Sequence, residues 1–92
     1  MQCFKFVVSG RVQGVCFRAS TVRFVTKTHL NIRGYVKNVS NGDVEVLAQG
    51  DSESLDVLHG WLKKGPPLAK VLSVKVVKID SFCNYDDFKI TY

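Results

Sequence analysis

Ninety-two residues suffice for one domain, residues 1–92, with a modest core. No apolar run approaches the roughly 18 residues of a membrane helix, so no membrane association is expected. The net charge of +5 is unevenly divided: residues 1–42 hold seven bases and no Asp or Glu, whereas residues 43–92 hold all eight acids with six lysines. The first part is therefore suited to sit near anions, and it has no carboxylate to hold a divalent cation or act as an Asp nucleophile.

Gln2–Ser9 alternates, with Phe4, Phe6 and Val8 on one face and Cys3, Lys5 and Val7 on the other, which predicts a strand with one strongly buried face. Strand-like sequence directly after Met1 leaves no stretch for a signal peptide, so a cytoplasmic location is expected. Gly10–Phe17 contains two glycines and reads as a loop. Arg18–Thr28 is a predicted helix with Ala19, Val22 and Val25 as its stripe. Its Thr and Val residues are weak helix formers, so tertiary packing has to hold it.

Ile32–Val39 and Asp43–Gln49 are strand-like and flank Ser40-Asn41-Gly42. Asn-Gly at that place predicts a hairpin, because both residues tolerate positive φ. Asp51–Lys64 is a second predicted helix, capped by Asp51 or Ser52 and striped by Leu55, Leu58, Trp61 and Leu62. Gly65-Pro66-Pro67 stops it. Val71–Ile79 and the short Phe88–Tyr92 complete the strands. The order β-α-β-β-α-β plus a fifth strand predicts a ferredoxin-like α+β sandwich, an antiparallel sheet with two helices on one face. No exposed apolar stripe is evident, so a monomer is expected.

Cys3, Cys16 and Cys83 form an odd set without CxxC spacing, which suggests neither a disulfide framework nor a zinc site and favours free thiols. His29 and His59 stand alone and read as surface or packing residues. Trp61 reads as core.

The chemistry concentrates in Gly10-Arg11-Val12-Gln13-Gly14-Val15-Cys16-Phe17-Arg18. A strand-to-helix junction points unpaired amides at one place, and the helix dipole favours an anion there. Arg18 at a helix N-terminus is electrostatically misplaced unless a bound anion compensates it, and a guanidinium offers two parallel donors to phosphate oxygens. On these grounds alone an ordinary loop with a solvated Arg18 fits equally well. A Walker A loop is excluded by Cys16-Phe17-Arg18 at its end. Cys16 is two positions from Arg18, too close for the cradle of a cysteine phosphatase, and reads as a small packing residue.

The stretch Gly10–Arg18 closely resembles the signature of the acylphosphatase family. A second signature follows in Gly34-Tyr35-Val36-Lys37-Asn38 and Asn41-Gly42-Asp43-Val44-Glu45-Val46, with further agreement at Trp61-Leu62, Gly65-Pro66 and Phe88–Tyr92. The resemblance implies metal- and cofactor-free hydrolysis of carboxyl–phosphate anhydrides to a carboxylate and inorganic phosphate, with the phosphate also binding as an inhibitor. It implies that Arg11, Val12, Gln13, Gly14, Val15, Cys16, Phe17 and Arg18 bind the substrate phosphate and that Arg18 and Asn38 are catalytic, Asn38 orienting the attacking water. The interval from Arg18 to Asn38 is slightly longer than the family's usual one, around Thr28–Ile32, and Ala19 stands where members often carry an aromatic.

The alternative from another class is a non-catalytic ferredoxin-like nucleic-acid-binding module. The element order and the basic first half suit it, and Arg33-Gly34-Tyr35-Val36 begins like an RNA-recognition motif. Lys37 and Asn38 then break that motif, and Phe4 and Phe6 fall on the expected buried face, so no nucleic-acid partner is expected.

Overall fold

The computed structural model describes residues 1–80 and 84–92. The alternating first segment becomes β1 (Gln2–Arg11), the second strand of a five-stranded sheet in the order β4-β1-β3-β2-β5. β1 pairs antiparallel with β3 (Val44–Gly50), from Gln2 opposite Gly50 to Val8 opposite Val44. On its other side it pairs antiparallel with β4 (Lys70–Lys78), with a register shift between Ser9 and Gly10 that carries the pairing on to Arg11 opposite Lys70. β2 (Ile32–Asn38) pairs antiparallel with β3.

The four long strands thus give the expected antiparallel sheet. The departure is β5 (Phe88–Ile90), which lies parallel to β2 and makes the sheet mixed. The connection out of β4 has to carry the chain from one sheet edge to the other, and it enters β5 in the direction of β2.

Alternation places Phe6, Val8, Val36, Val44, Val46 and Ala48 on one face, where they form a single core with both helices. From α2 (Ser52–Leu62) come Leu55, Leu58 and Leu62; from α1 (Phe17–Lys27) come Phe17 and Val25. The other face is not bare: Cys3, Leu47 and Gln49 are buried there, and Tyr85 packs edge-on against Tyr35 at 6.0 Å. The expectation of one strongly buried face is corrected accordingly, since Cys3 is more buried than Phe4.

The α1 stripe also differs from the expected Ala19, Val22 and Val25. Phe17, Thr21 and Val25 point inward, Val22 packs at the margin and Ala19 is exposed. Burying the Phe17 ring removes far more apolar area from water than burying a methyl group, and this sets the helix phase. Thr21 is fully buried because its hydroxyl donates to the Phe17 carbonyl at 2.7 Å.

α1 ends in a Schellman motif: His29 takes φ 55, its N–H reaches the Thr26 carbonyl, and the Leu30 N–H reaches the Val25 carbonyl at 3.1 Å. α2 begins at Asp51, whose carboxylate accepts from the Ser54 N–H at 2.7 Å, which holds its pKa below the ordinary carboxylate value. Trp61 is half-buried rather than fully in the core, stacked on Phe24 at 5.1 Å.

The β2–β3 hairpin forms as expected by a different route. Only Gly42 takes positive φ in this turn; Asn41 does not, and its side-chain oxygen accepts from the Asp43 N–H at 3.0 Å. Gly34, at φ 143 in β2, passes so close to the Leu47 carbonyl that a Cβ there would collide with it.

Candidate active site

The loop between β1 and α1 is fixed by its hydrophobic residues. Val12 and Val15 are buried at 1% and 6% exposure and hold the loop down on the core. Between and after them, Gly14 at φ 74 and Cys16 at φ 61 are both left-handed, which turns the chain tightly into the helix. The Ser20 N–H makes the first helical bond, to the Cys16 carbonyl at 3.0 Å, so the amides from Cys16 to Ala19 head the helix with no intrahelical acceptor. Among the described residues, no acceptor pairs with any main-chain N–H from residue 12 to residue 19.

Arg18 sits in this first turn, where no acidic residue accompanies it. Its guanidinium carbon lies 4.8 Å from the centre of the Tyr92 ring, a cation–π contact that restrains an otherwise flexible side chain. Asn38 comes from the other direction: it is the last residue of β2, opposite Val44, and half-buried. Arg18 and Asn38 both line one cavity of about 440 Å³, together with Val12, Gly14, Cys16, Phe17, Ala19, Ile90 and Tyr92.

Three residues expected to hold an anion do not line that cavity. Arg11 is exposed in β1 opposite Lys70, and Val15 is turned into the core. Gln13 has a separate role: its side-chain amide donates to the Val39 carbonyl at 2.8 Å and to the Asp43 carbonyl at 2.9 Å. It clamps the loop to the hairpin turn directly beyond Asn38, and so fixes the distance between the two halves of the cavity. Sequence reasoning missed this clamp, as it missed Tyr92, because residues 13, 39 and 43 meet only through the sheet.

Cys16 is not the packing residue expected. It is exposed on the cavity wall as a free thiol, whereas Cys3 is buried; Cys83 lies outside the described residues. His59 fulfils its packing role, 5.3 Å from the Phe6 ring, with its pKa lowered first by burial and then by Lys63. Lys37 is engaged on the opposite sheet face, 3.7 Å from Glu45, which also accepts from the Tyr35 hydroxyl at 2.6 Å. Burial and that bond hold the Tyr35 phenol well above its ordinary value. Among the described residues no three His, Cys, Asp or Glu side chains converge as a metal site would require.

Chemically, the cavity offers main-chain donors, one guanidinium and one neutral amide, a set suited to a small, highly charged anion and a water beside it. Residues 4–90 match the family model described as Acylphosphatase. An acylphosphatase of Vibrio cholerae serotype O1 is 46% identical over 89 residues, covering 97% of this chain and 96% of the relative. Among solved structures, acylphosphatase from Bacillus subtilis superposes with a TM-score of 0.92 at 35% identity, over 100% of both chains. An acylphosphatase from Coxiella burnetii gives 0.88 at 40% identity, covering 98% of this chain and 92% of that one. A match over residues 4–90, a range that spans the first strand, the loop, Asn38 and β5, establishes that this chain belongs to the acylphosphatase family.

Proposed function

We propose that the cavity at Arg18 and Asn38 hydrolyses acyl phosphates to a carboxylate and inorganic phosphate without a metal, a cofactor or a covalent intermediate. The observation that carries this reading is the meeting of the unpaired loop amides, Arg18 and Asn38 on one wall. The amides and Arg18 bind the phosphoryl oxygens and offset the charge that spreads over them as the bond to the acyl oxygen stretches. Asn38 holds a water in line with that bond through its acceptor and donor. The water oxygen bonds to phosphorus, the phosphorus–oxygen bond to the acyl group breaks, and its electron pair leaves on the carboxylate. The water's proton passes to a phosphoryl oxygen, so no His, Asp or Glu is required nearby.

A metal-free route is supported by the residues themselves, since residues 1–42 contain no carboxylate. The nucleic-acid-binding alternative is disfavoured by Phe6, 2% exposed beneath the helices, and by the Tyr35 hydroxyl, which is committed to Glu45.

Steady-state hydrolysis of acetyl phosphate in excess chelator tests the proposal. Arg18→Ala should lower kcat/KM by about 100-fold or more, and Asn38→Ala should lower kcat by a similar factor with little change in KM, as for loss of one donor to a developing charge. Inorganic phosphate should inhibit competitively, and Cys16→Ser should retain most activity. A requirement for added metal, or full activity in either Ala variant, refutes the assignment.

A further inference from the structure

The cavity at Arg18 does not end at Ala19. A shallow, open groove of about 620 Å³ shares Ala19 and Ile90 with it and continues along α1 past Val22, Arg23, Thr26 and Lys27. Counted from Ala19, these are positions i+3, i+4, i+7 and i+8, one stripe of the helix on the order of 12 Å long. The lining is almost wholly apolar, so Arg23 and Lys27 contribute their hydrocarbon stems to the walls and keep their charged heads at the rim. The groove adjoins the phosphate cavity at Ala19 and Ile90, and residue 19 there is an exposed alanine with only a methyl group to set between the two.

An in-line displacement sets the acyl group on the opposite side of phosphorus from the water, so the acyl group has to leave the loop cavity. The groove is the apolar surface that adjoins this cavity at Ala19 and Ile90. We propose that it is the acyl subsite, and that the substrates this chain turns over best carry an unbranched, uncharged acyl chain of several carbons rather than acetyl. This rests on the acyl-phosphate reading given above and names the substrate class within it.

The test is kcat/KM for acetyl, butanoyl and hexanoyl phosphate. These leaving groups are of nearly equal basicity, so differences report binding of the chain and not the chemistry of bond cleavage. Full burial of a methylene corresponds to roughly a fourfold gain; in a groove open on one side about twofold is expected, so hexanoyl should exceed acetyl on the order of tenfold. Val22→Thr, which keeps the shape and adds a hydroxyl, should lower hexanoyl turnover about threefold or more and leave acetyl unchanged. Thr26→Val should raise hexanoyl turnover about twofold, again without effect on acetyl. A flat series, or variants that move acetyl and hexanoyl in the same proportion, overturns the subsite while leaving the activity standing. Absence of turnover with every acyl phosphate overturns the activity and the subsite together.

Discussion

Replacing Gln13 tests whether the catalytic geometry depends on the clamp between loop and hairpin. Gln13→Ala removes two hydrogen bonds, of 2.8 and 2.9 Å, to the Val39 and Asp43 carbonyls. Each is worth about 0.5–1.5 kcal/mol net, and because the site is only part-buried, water can re-solvate the carbonyls, so a total near 1–2 kcal/mol is expected. For a domain of this size that lowers Tm by roughly 5–15 °C. Turnover should fall further than stability suggests, by about 10- to 100-fold, because a shift of ~1 Å between the loop amides and Asn38 misaligns the water.

Gln13→Glu sharpens the test. A carboxylate has no donor and would face two carbonyl oxygens, so at neutral pH it should be less stable than Gln13→Ala. Its folded-state pKa would be raised above the usual ~4.3, so the excess destabilisation is present above that folded value and disappears as pH falls below the unfolded one. Urea unfolding at several pH values, with kcat measured in parallel, reads both effects. Equal stability of the Ala and Glu variants across pH, or a Gln13→Ala protein with unchanged Tm and kcat, refutes the clamp.

Three further outcomes are expected. Tyr92→Ala frees the Arg18 guanidinium from an exposed cation–π contact worth about 0.5–1 kcal/mol, so KM should rise two- to fivefold with Tm unchanged; an unchanged KM removes the ring from the site. His29→Gly relieves a left-handed residue at the end of α1, and the urea midpoint should rise by about 0.5–1 kcal/mol equivalent at constant m and constant activity; a lower midpoint contradicts the Schellman geometry. His59 has a lowered folded-state pKa, so as pH falls below about 6.5 the unfolded chain takes up the proton first and stability declines toward the folded value. His59→Leu should flatten that part of the stability–pH curve, and an identical slope in the variant means that another group is responsible.

Local physics made much of this molecule legible in the sequence. The Leu55, Leu58 and Leu62 spacing and the Asp51 cap identify α2, and the strand alternation identifies the sheet, because these signals are read within a few residues. The loop and Arg18 were legible for the same reason: glycine, helix start and a misplaced cation lie within one short stretch. Hidden features are those that arise only when distant segments meet. Gln13 reads as one more loop residue until the hairpin turn arrives beside it. Tyr92 acquires its role only under Arg18. The end of α1 was obscured differently, since its left-handed position carries a histidine where a glycine would have announced it.

The sheet order has a consequence for how this molecule comes into being. The strand that feeds the loop lies between β3 and β4, and its last residue, Arg11, is held by Lys70. A nascent chain on the ribosome therefore has the loop's residues early and their scaffold late: until β4 has emerged, one flank of β1 is open and nothing fixes where the loop begins. Loop closures of this span are slow to form. Catalytic competence should accordingly appear in one step, once β4 has emerged and paired with β1, and not grow in proportion to the length synthesised.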